Sequence, residues 1–201
     1  MGILQEKYQS KCGEPSDIYE HLPTLFRYGS ECSHITECGV RGVTSSYAFA
    51  RALQGREGNT LVQVDLNTNE NVVRFQEECK REGVNTIFYQ ESDLTCPVEP
   101  TELLFIDTWH VYGHLRRELD RWNSSVSKYI IMHDTTVDEW VGETIRCGLN
   151  STEQSNQTGI PVDEINKGLW PAIVEFLKEH PEWTIKERFT NNNGLTILSR
   201  S

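Results

Sequence analysis

Two aliphatic runs in this chain each end in an acid and a histidine. Residues 103–106 lead into Asp107-Thr108-Trp109-His110, and residues 129–132 lead into His133-Asp134-Thr135. A short unbroken aliphatic run reads as a strand buried on both faces of a parallel sheet. Polar side chains just past the carboxyl ends of such strands lie where open α/β sheets bind ligands. Asp107 and Asp134 can together hold a divalent cation through oxygen ligands. His110 suits a general base, because an imidazole titrates near working pH, and His133 suits a metal ligand or a hydrogen-bonding partner. A histidine without such neighbours is more often a satisfied structural residue, and that is the expectation for His114 and His180.

A second constellation lies upstream. Glu37-Cys38-Gly39-Val40-Arg41-Gly42 joins an expected strand to an expected helix. Gly39 and Gly42 let the backbone turn tightly and approach a ligand. The G-x-x-G spacing alone does not separate a binding loop from an ordinary strand-to-helix turn. Asp65 ends the next strand, where a carboxylate can bind both hydroxyls of a ribose or cap the following helix. Ser92 and Asp93 follow the third strand and border the same expected cleft. A glycine turn followed by an acid, in this order, points to a nucleoside cofactor.

The elements that position these residues follow from the pattern. The sequence predicts helices over 17–28, 44–53, 71–82, 111–122, 137–146 and 168–180, with strands over 34–38, 60–65, 84–90, 103–106, 129–132, 183–189 and 195–199. Asn191-Asn192-Asn193-Gly194 links the last two strands and signals a hairpin. Strands and helices alternating five times imply right-handed crossovers and a parallel sheet. The expected fold is α/β: a Rossmann-like, doubly wound, mostly parallel seven-stranded sheet with a C-terminal antiparallel hairpin and helices on both faces. Residues 1–16 read as a polar, poorly ordered lead-in, residues 17–201 as one domain, and 147–160 as a mobile loop rich in Gly, Asn, Ser, Thr and Gln.

Composition narrows the function. The chain has 201 residues, 37% hydrophobic and 24% charged, which suits one well-buried domain. A net charge of −11 argues against a nucleic-acid partner. No apolar stretch approaches the roughly 20 residues that span a bilayer, so no membrane partner is expected. The amino terminus lacks a basic segment followed by an apolar one, so a cytoplasmic location is expected, with the six cysteines reduced. There is no G-x-S-x-G elbow, no P-loop lysine and no local Cys/His spacing of a zinc site.

Taken in order, the glycine turn, ribose acid, third-strand acid, strand-end acid and terminal hairpin resemble a class I S-adenosylmethionine-dependent methyltransferase over residues 17–200. The resemblance places Glu37, Gly39, Arg41 and Gly42 at the methionine-binding turn, Asp65 at the ribose, and Ser92 and Asp93 at the adenine. Asp107 also borders the cofactor. Arg41 stands where that family commonly has a further glycine. The segments 105–112 and 133–135 are similar to the metal-dependent sugar O-methyltransferases of macrolide deoxysugars and to the cephalosporin hydroxylase-like group. That resemblance implies S-adenosylmethionine as cofactor and Mg2+ or Mn2+ as cation, with Asp107, Asp134 and His133 as metal ligands and His110 with Asp107 as the catalytic pair. His133 replaces an acid of that family, and histidine is a poor magnesium ligand.

The implied reaction is methyl transfer to a sugar hydroxyl, on a deoxyhexose of a glycan, with Trp109, Tyr112 and Trp140 walling the acceptor. Similar domains occur in glycan-building proteins of large DNA viruses. A larger glycan-synthesis protein, a host-cytoplasmic setting and a homo-oligomer are therefore within the expectation. Two rivals are a small-molecule O-methyltransferase acting on a catechol-like diol and a non-catalytic binding module on the same fold. A nicotinamide oxidoreductase would want G-x-G-x-x-G, and Glu37 stands two residues before Gly39.

Overall fold

The computed structural model describes residues 2–201. Its centre is strand β1 (His34–Cys38), flanked by β2 (Thr60–Val64) and by β4 (Thr101–Ile106). Strand β3 (Asn85–Tyr89) lies outside β2, and β5 (Val126–His133) lies outside β4; all five are parallel. Strands β6 (Trp183–Phe189) and β7 (Leu195–Arg200) form a hairpin, with β7 antiparallel to β5. The order β3-β2-β1-β4-β5-β7-β6 is the doubly wound sheet with a terminal antiparallel hairpin that the sequence predicts. The winding reverses between β1 and β4, which opens a crevice at their carboxyl ends.

Period-two alternation divides each central strand between two cores. Leu103 and Phe105 of β4 point to one face, and Leu104 and Ile106 to the other. Helices α2 (Leu22–Gly29), α3 (Thr44–Leu53) and α4 (Glu70–Arg81) cover the first face. Helices α5 (Tyr112–Trp122) and α9 (Leu169–Glu179) cover the second. Helix α4 shows the local logic. The Asn69 side chain accepts from the Asn71 and Val72 amides, and Val72, Phe75 and Cys79 recur at helical spacing on the buried face. Each large apolar side chain so buried stabilises the fold by about 1.5–3 kcal/mol.

Three expectations are corrected. The lead-in is ordered: helix α1 spans Ile3–Gly13 and buries Leu4, with Tyr8 and Cys12 packed on the same core. Leu4, Tyr8 and Cys12 are spaced by four, a stripe too narrow to stand out among polar neighbours. Between β3 and β4, where the sequence predicts no helix, the connection contains Pro97 and Pro100, which remove two helical donors. The presumed mobile loop holds helix α7 (Ser151–Thr158), capped by Asn150 through the Thr152 and Glu153 amides and closed by Gly159 at φ 74°. It lacks an apolar face, so hydrophobic periodicity cannot reveal it. The helix expected over 137–146 reduces to α6 (Glu143–Arg146), and a further short helix, α8 (Val162–Asn166), precedes α9.

Candidate active site

The crevice exists because β1 and β4 come very close. The Asp107 amide donates to the Cys38 carbonyl at 2.9 Å. A β-carbon on Gly39, at φ +86°, would lie 1.9 Å from the Asp107 carbonyl oxygen. Glycine is therefore obligatory at 39. Gly42 faces open space, with Thr44 Oγ1 at 3.9 Å the nearest atom to an added β-carbon.

A cleft of about 1080 Å3 opens from this point. Of the residues singled out from the sequence, Gly39, Arg41, Asp65, Ser92, Asp93, Asp107, His110 and Asp134 line it, while Glu37, Gly42 and His133 do not. Asp65 Oδ2 accepts from the Val40 and Arg41 amides at 2.9 and 3.0 Å, and Oδ1 accepts from the Asn67 amide. The acid thus clamps the glycine turn and still presents its remaining lone pairs to the cleft. Arg41 occupies φ 38°, the left-handed region, and pairs with Asp17 at 2.5 Å on the surface. The backbone at the position of the missing glycine is accordingly strained.

Glu37, expected at the cofactor turn, does not border the cleft. It is fully buried; Ser45 and Ser46 donate to its two oxygens at 2.6 Å each, and Gln63 donates at 2.9 Å. Burial pushes its carboxyl up to about 7, against those three hydrogen bonds. Asp93 also turns inward: its Oδ2 lies 3.0 Å from His114 Nε2, which makes His114 part of the cleft wall. Beneath them Glu118 is buried, accepts from Thr108 Oγ1 at 2.8 Å and leaves its second oxygen without a partner. Burial and the neighbouring Asp93 charge raise its carboxyl well above the usual range.

At the other end the two strand endings meet. His110 Nε2 lies 3.2 Å from Asp107 Oδ1 and 3.1 Å from Asp134 Oδ2. His133 Nδ1 lies 3.3 Å from the same Asp107 oxygen and 3.2 Å from the same Asp134 oxygen. Asp134 sits at φ 57°, in the strained left-handed region. His133 Nε2 donates to the Asn192 carbonyl at 3.2 Å. That acceptor is presented by the hairpin turn, where Asn192, Asn193 and Gly194 all have positive φ.

On its far side His110 Nδ1 faces Asp138 Oδ2 at 3.4 Å and Glu143 Oε2 at 3.6 Å. Asp138 is fully buried and holds Arg146 through two bonds of 2.6 and 2.8 Å. Burial alone would depress the His110 imidazole, but hydrogen bonds to Asp107 and Asp138 and the Asp134 charge raise it well above its ordinary value. His133 is pushed up to about 10, burial again being outweighed by Asp107 and Asp134. Burial raises Asp107, yet the bonds from His110 and His133 leave it far below the carboxylate range. His110 is thereby placed among four carboxylates, those of Asp107, Asp134, Asp138 and Glu143.

The remaining wall is polar. Glu143, Arg146, Gln154, Gln157, Thr158 and Asn193 line it, with Trp109 and Ile160. Tyr112 and Trp140, expected here, lie elsewhere. Tyr112 donates to Glu175 at 2.6 Å, and Trp140 is exposed outside the cleft. Sequence reasoning missed Asp138, Glu143, Arg146 and the two glutamines, because nothing marks isolated polar residues in a turn or on short helices. The Asn150 cap, with Glu153 three residues on and Gly159 beyond, is the signal that could have located α7.

This sheet order, the antiparallel β7 and a cleft at the reversal between β1 and β4 define the fold of class I methyltransferases. No protein-family model matches the chain, and no curated protein matches it. Solved structures do. The O-methyltransferase TomG of Streptomyces achromogenes, solved with S-adenosylmethionine, superposes with a TM-score of 0.62 at 14% identity, covering 98% of this chain and 89% of that one. A Bacillus cereus O-methyltransferase in complex with S-adenosylhomocysteine gives 0.60 at 15% identity, covering 98% and 90%. A putative caffeoyl-CoA O-methyltransferase from Staphylococcus aureus gives 0.57 at 13%, covering 90% and 83%. At such identities the likeness establishes the fold. Among the described residues no helix is long and apolar enough to cross a membrane.

Proposed function

We propose that this protein is an enzyme that transfers the methyl group of S-adenosylmethionine to a hydroxyl of a sugar, on a deoxyhexose within a glycan. The observation that carries this reading is one continuous cleft with a nucleoside-type end and a hydroxyl-type end. Gly39, Asp65 and the turn at Ser92 border the first, and Asp107, His110 and Asp134 border the second. The cofactor would lie with its ribose on the free lone pairs of Asp65 and its methionine end over Gly39. The acceptor oxygen attacks the methyl carbon, the carbon–sulfur bond breaks, S-adenosylhomocysteine is left, and one proton is released. Aligning oxygen, methyl and sulfur supplies much of the rate.

The donor set of Asp107, Asp134 and His133 fits a divalent cation, because the Asn192 carbonyl fixes Nε2 of His133 as the N–H and leaves Nδ1 for a metal. Such an ion would supply Lewis acidity that eases loss of the hydroxyl proton. Glu143, Arg146, Gln154 and Gln157 offer donors and acceptors to the several hydroxyls of a sugar. Trp109 offers one face for its apolar side. A glycan acceptor also fits the resemblance to viral glycan-building domains, and with it a larger protein around this chain.

The test is a methyltransferase assay on deoxyhexose glycosides and catechols, read by mass spectrometry of product and S-adenosylhomocysteine. We expect kcat/KM at least about tenfold higher for the sugars, with Gln154→Ala and Gln157→Ala raising the acceptor KM at unchanged cofactor affinity. A preference for catechols would give the site to a small aromatic diol, the reading favoured by the caffeoyl-CoA name of one structural neighbour. Bound cofactor with no turnover on any acceptor would make it a binding module.

A further inference from the structure

We propose that Asp93, His114 and Glu118 bind a divalent transition ion of the Zn2+ kind in the wall of the nucleoside end, apart from the strand-end acids. The site goes beyond the methyl-transfer reading and does not rest on it. His114 and Glu118 stand four residues apart on α5, so their side chains share one face of that helix. The same spacing lets a single helix offer two ligands to zinc. Asp93 arrives from the connection between β3 and β4. Its Oδ2 lies 3.0 Å from His114 Nε2, and the Glu118 carboxylate lies 3.9 Å from the same nitrogen. One donor atom from each of the three residues falls within 4.8 Å of the other two. Donors at zinc distances in a tetrahedral array stand about 3.3–3.6 Å apart, and the two measured edges lie either side of that range.

Burial points to a ligand independently of the spacing. Glu118 is 1% exposed, and its Oε2 has no hydrogen-bond partner. A buried carboxylate oxygen without a partner is costly, and native structures avoid it. Among the described residues neither Asp93 nor Glu118 forms an ion pair with lysine or arginine; their common neighbour is His114. Two carboxylates beside a neutral imidazole leave a charge of minus two, which one divalent ion cancels.

The surroundings suit an ion. Thr108 Oγ1 donates to Glu118 Oε1 at 2.8 Å, the kind of outer contact that orients a ligating carboxylate, and leaves Oε2 for the metal. Trp122 Nε1 donates to the Asp93 carbonyl at 3.2 Å and seats the Asp93 turn on α5. Asp93 and His114 border the cleft while Glu118 lies behind them, so a fourth position opens toward the cleft. Magnesium and calcium want more oxygens than this set offers, and an imidazole nitrogen shifts preference to the later first-row ions. The ion would tie the turn after β3 to α5 and so stiffen the wall beside Ser92. Local spacing shows only half of the site, because Asp93 stands 21 residues before His114.

The rival account is an ion-free cluster in which His114 and a shared proton bridge the two carboxylates. The full chain carrying Asp107→Asn and Asp134→Asn, which disable the strand-end acids, is stripped with chelator and dialysed against Zn2+, and bound metal is counted by atomic emission. We expect one equivalent of Zn2+, undisturbed by a large excess of Mg2+. Adding His114→Ala or Glu118→Gln should weaken Zn2+ binding at least about tenfold, and adding His180→Ala should not change it. At a hundredfold excess over Kd, Zn2+ should raise Tm by about 5–10 °C, and Glu118→Gln should abolish that rise. Circular dichroism verifies the folding of each variant. Should the double variant not fold, wild type gives the answer by difference, binding one equivalent more than His114→Ala.

No Zn2+ uptake by the folded double variant, or equal uptake by wild type and folded His114→Ala, would overturn the proposal in favour of the ion-free cluster. Equal competition by Mg2+ would overturn the choice of ion. Unchanged binding by folded Glu118→Gln would remove Glu118 from the ligands. Zn2+ binding as expected with no methyl transfer would sink the function proposed above and leave this site standing; methyl transfer without Zn2+ binding would do the reverse.

Discussion

The most exacting prediction concerns Gly39. Replacing it with alanine puts a β-carbon 1.9 Å from the Asp107 carbonyl oxygen and 2.6 Å from its carbon, at a φ of +86°. Both obstacles are backbone, so no side chain can swing away. The left-handed conformation alone costs about 1–3 kcal/mol for a residue with a β-carbon. Relieving the clash requires β1 and β4 to part by more than 1 Å, which endangers the hydrogen bonds from Asp107 N to Cys38 O and from Gly39 N to Val64 O. Each lost bond costs about 1 kcal/mol, for a total of about 3–5 kcal/mol. For a domain of this size that is a fall in Tm of about 6–20 °C.

Thermal unfolding followed by circular dichroism measures the fall, and calorimetry with S-adenosylhomocysteine measures binding by what remains folded. Gly42→Ala is the matched control: its β-carbon meets nothing closer than 3.9 Å, and its Tm should stay within about 1–2 °C of wild type. A Gly39→Ala protein with wild-type Tm would refute the argument, because it would show that β1 and β4 do not approach as described. A Gly42→Ala protein with wild-type Tm but weakened S-adenosylhomocysteine binding would place the cofactor against that turn.

Three further outcomes follow from the same geometry. Glu37 has its carboxyl raised to about 7 from an ordinary 4.5, so the native state keeps a proton that the unfolded chain releases. That stability is fully present below pH 4.5 and is lost as pH rises to about 7, by up to about 3 kcal/mol; Glu37→Gln should flatten the slope in urea titrations between pH 5 and 8, and an identical slope would refute it. Arg41→Gly should leave Tm unchanged or raise it, since relieved strain of about 1 kcal/mol exceeds the loss of an exposed Asp17 pair; a clear drop in Tm contradicts this. Asp138→Ala removes the two-bond partner of a part-exposed Arg146 and should cost about 1–3 kcal/mol in chemical denaturation, with no loss arguing that the pair is idle.

The sheet was legible because its strands are short aliphatic runs with turn residues between them, and because Asn191-Asn192-Asn193-Gly194 can scarcely be anything but a turn. The strand-end acids were legible for the same reason, being fixed by where the runs stop. What the pattern concealed depends on contacts across the fold. Glu37 looks like part of a binding turn until Ser45, Ser46 and Gln63 are found around its oxygens. His114 looks structural until Asp93 turns inward to meet it. Nothing in the sequence sets Asp138 and Glu143 behind His110, because they are carried by a segment with no hydrophobic period of its own. Helices α1 and α7 stayed hidden because one has a stripe of single residues and the other has none.

The carbonyl that orients His133 comes from a turn 59 residues downstream, beyond β6. During synthesis Asp107, His110, His133 and Asp134 all leave the ribosome before that turn exists. A nascent chain can pair β1 to β5 and bring the acids together, but His133 has nothing to select which of its nitrogens carries the hydrogen. Insertion of β7 beside β5 lowers the turn into place and makes that selection. Assembly of the sheet and orientation of His133 are therefore one event.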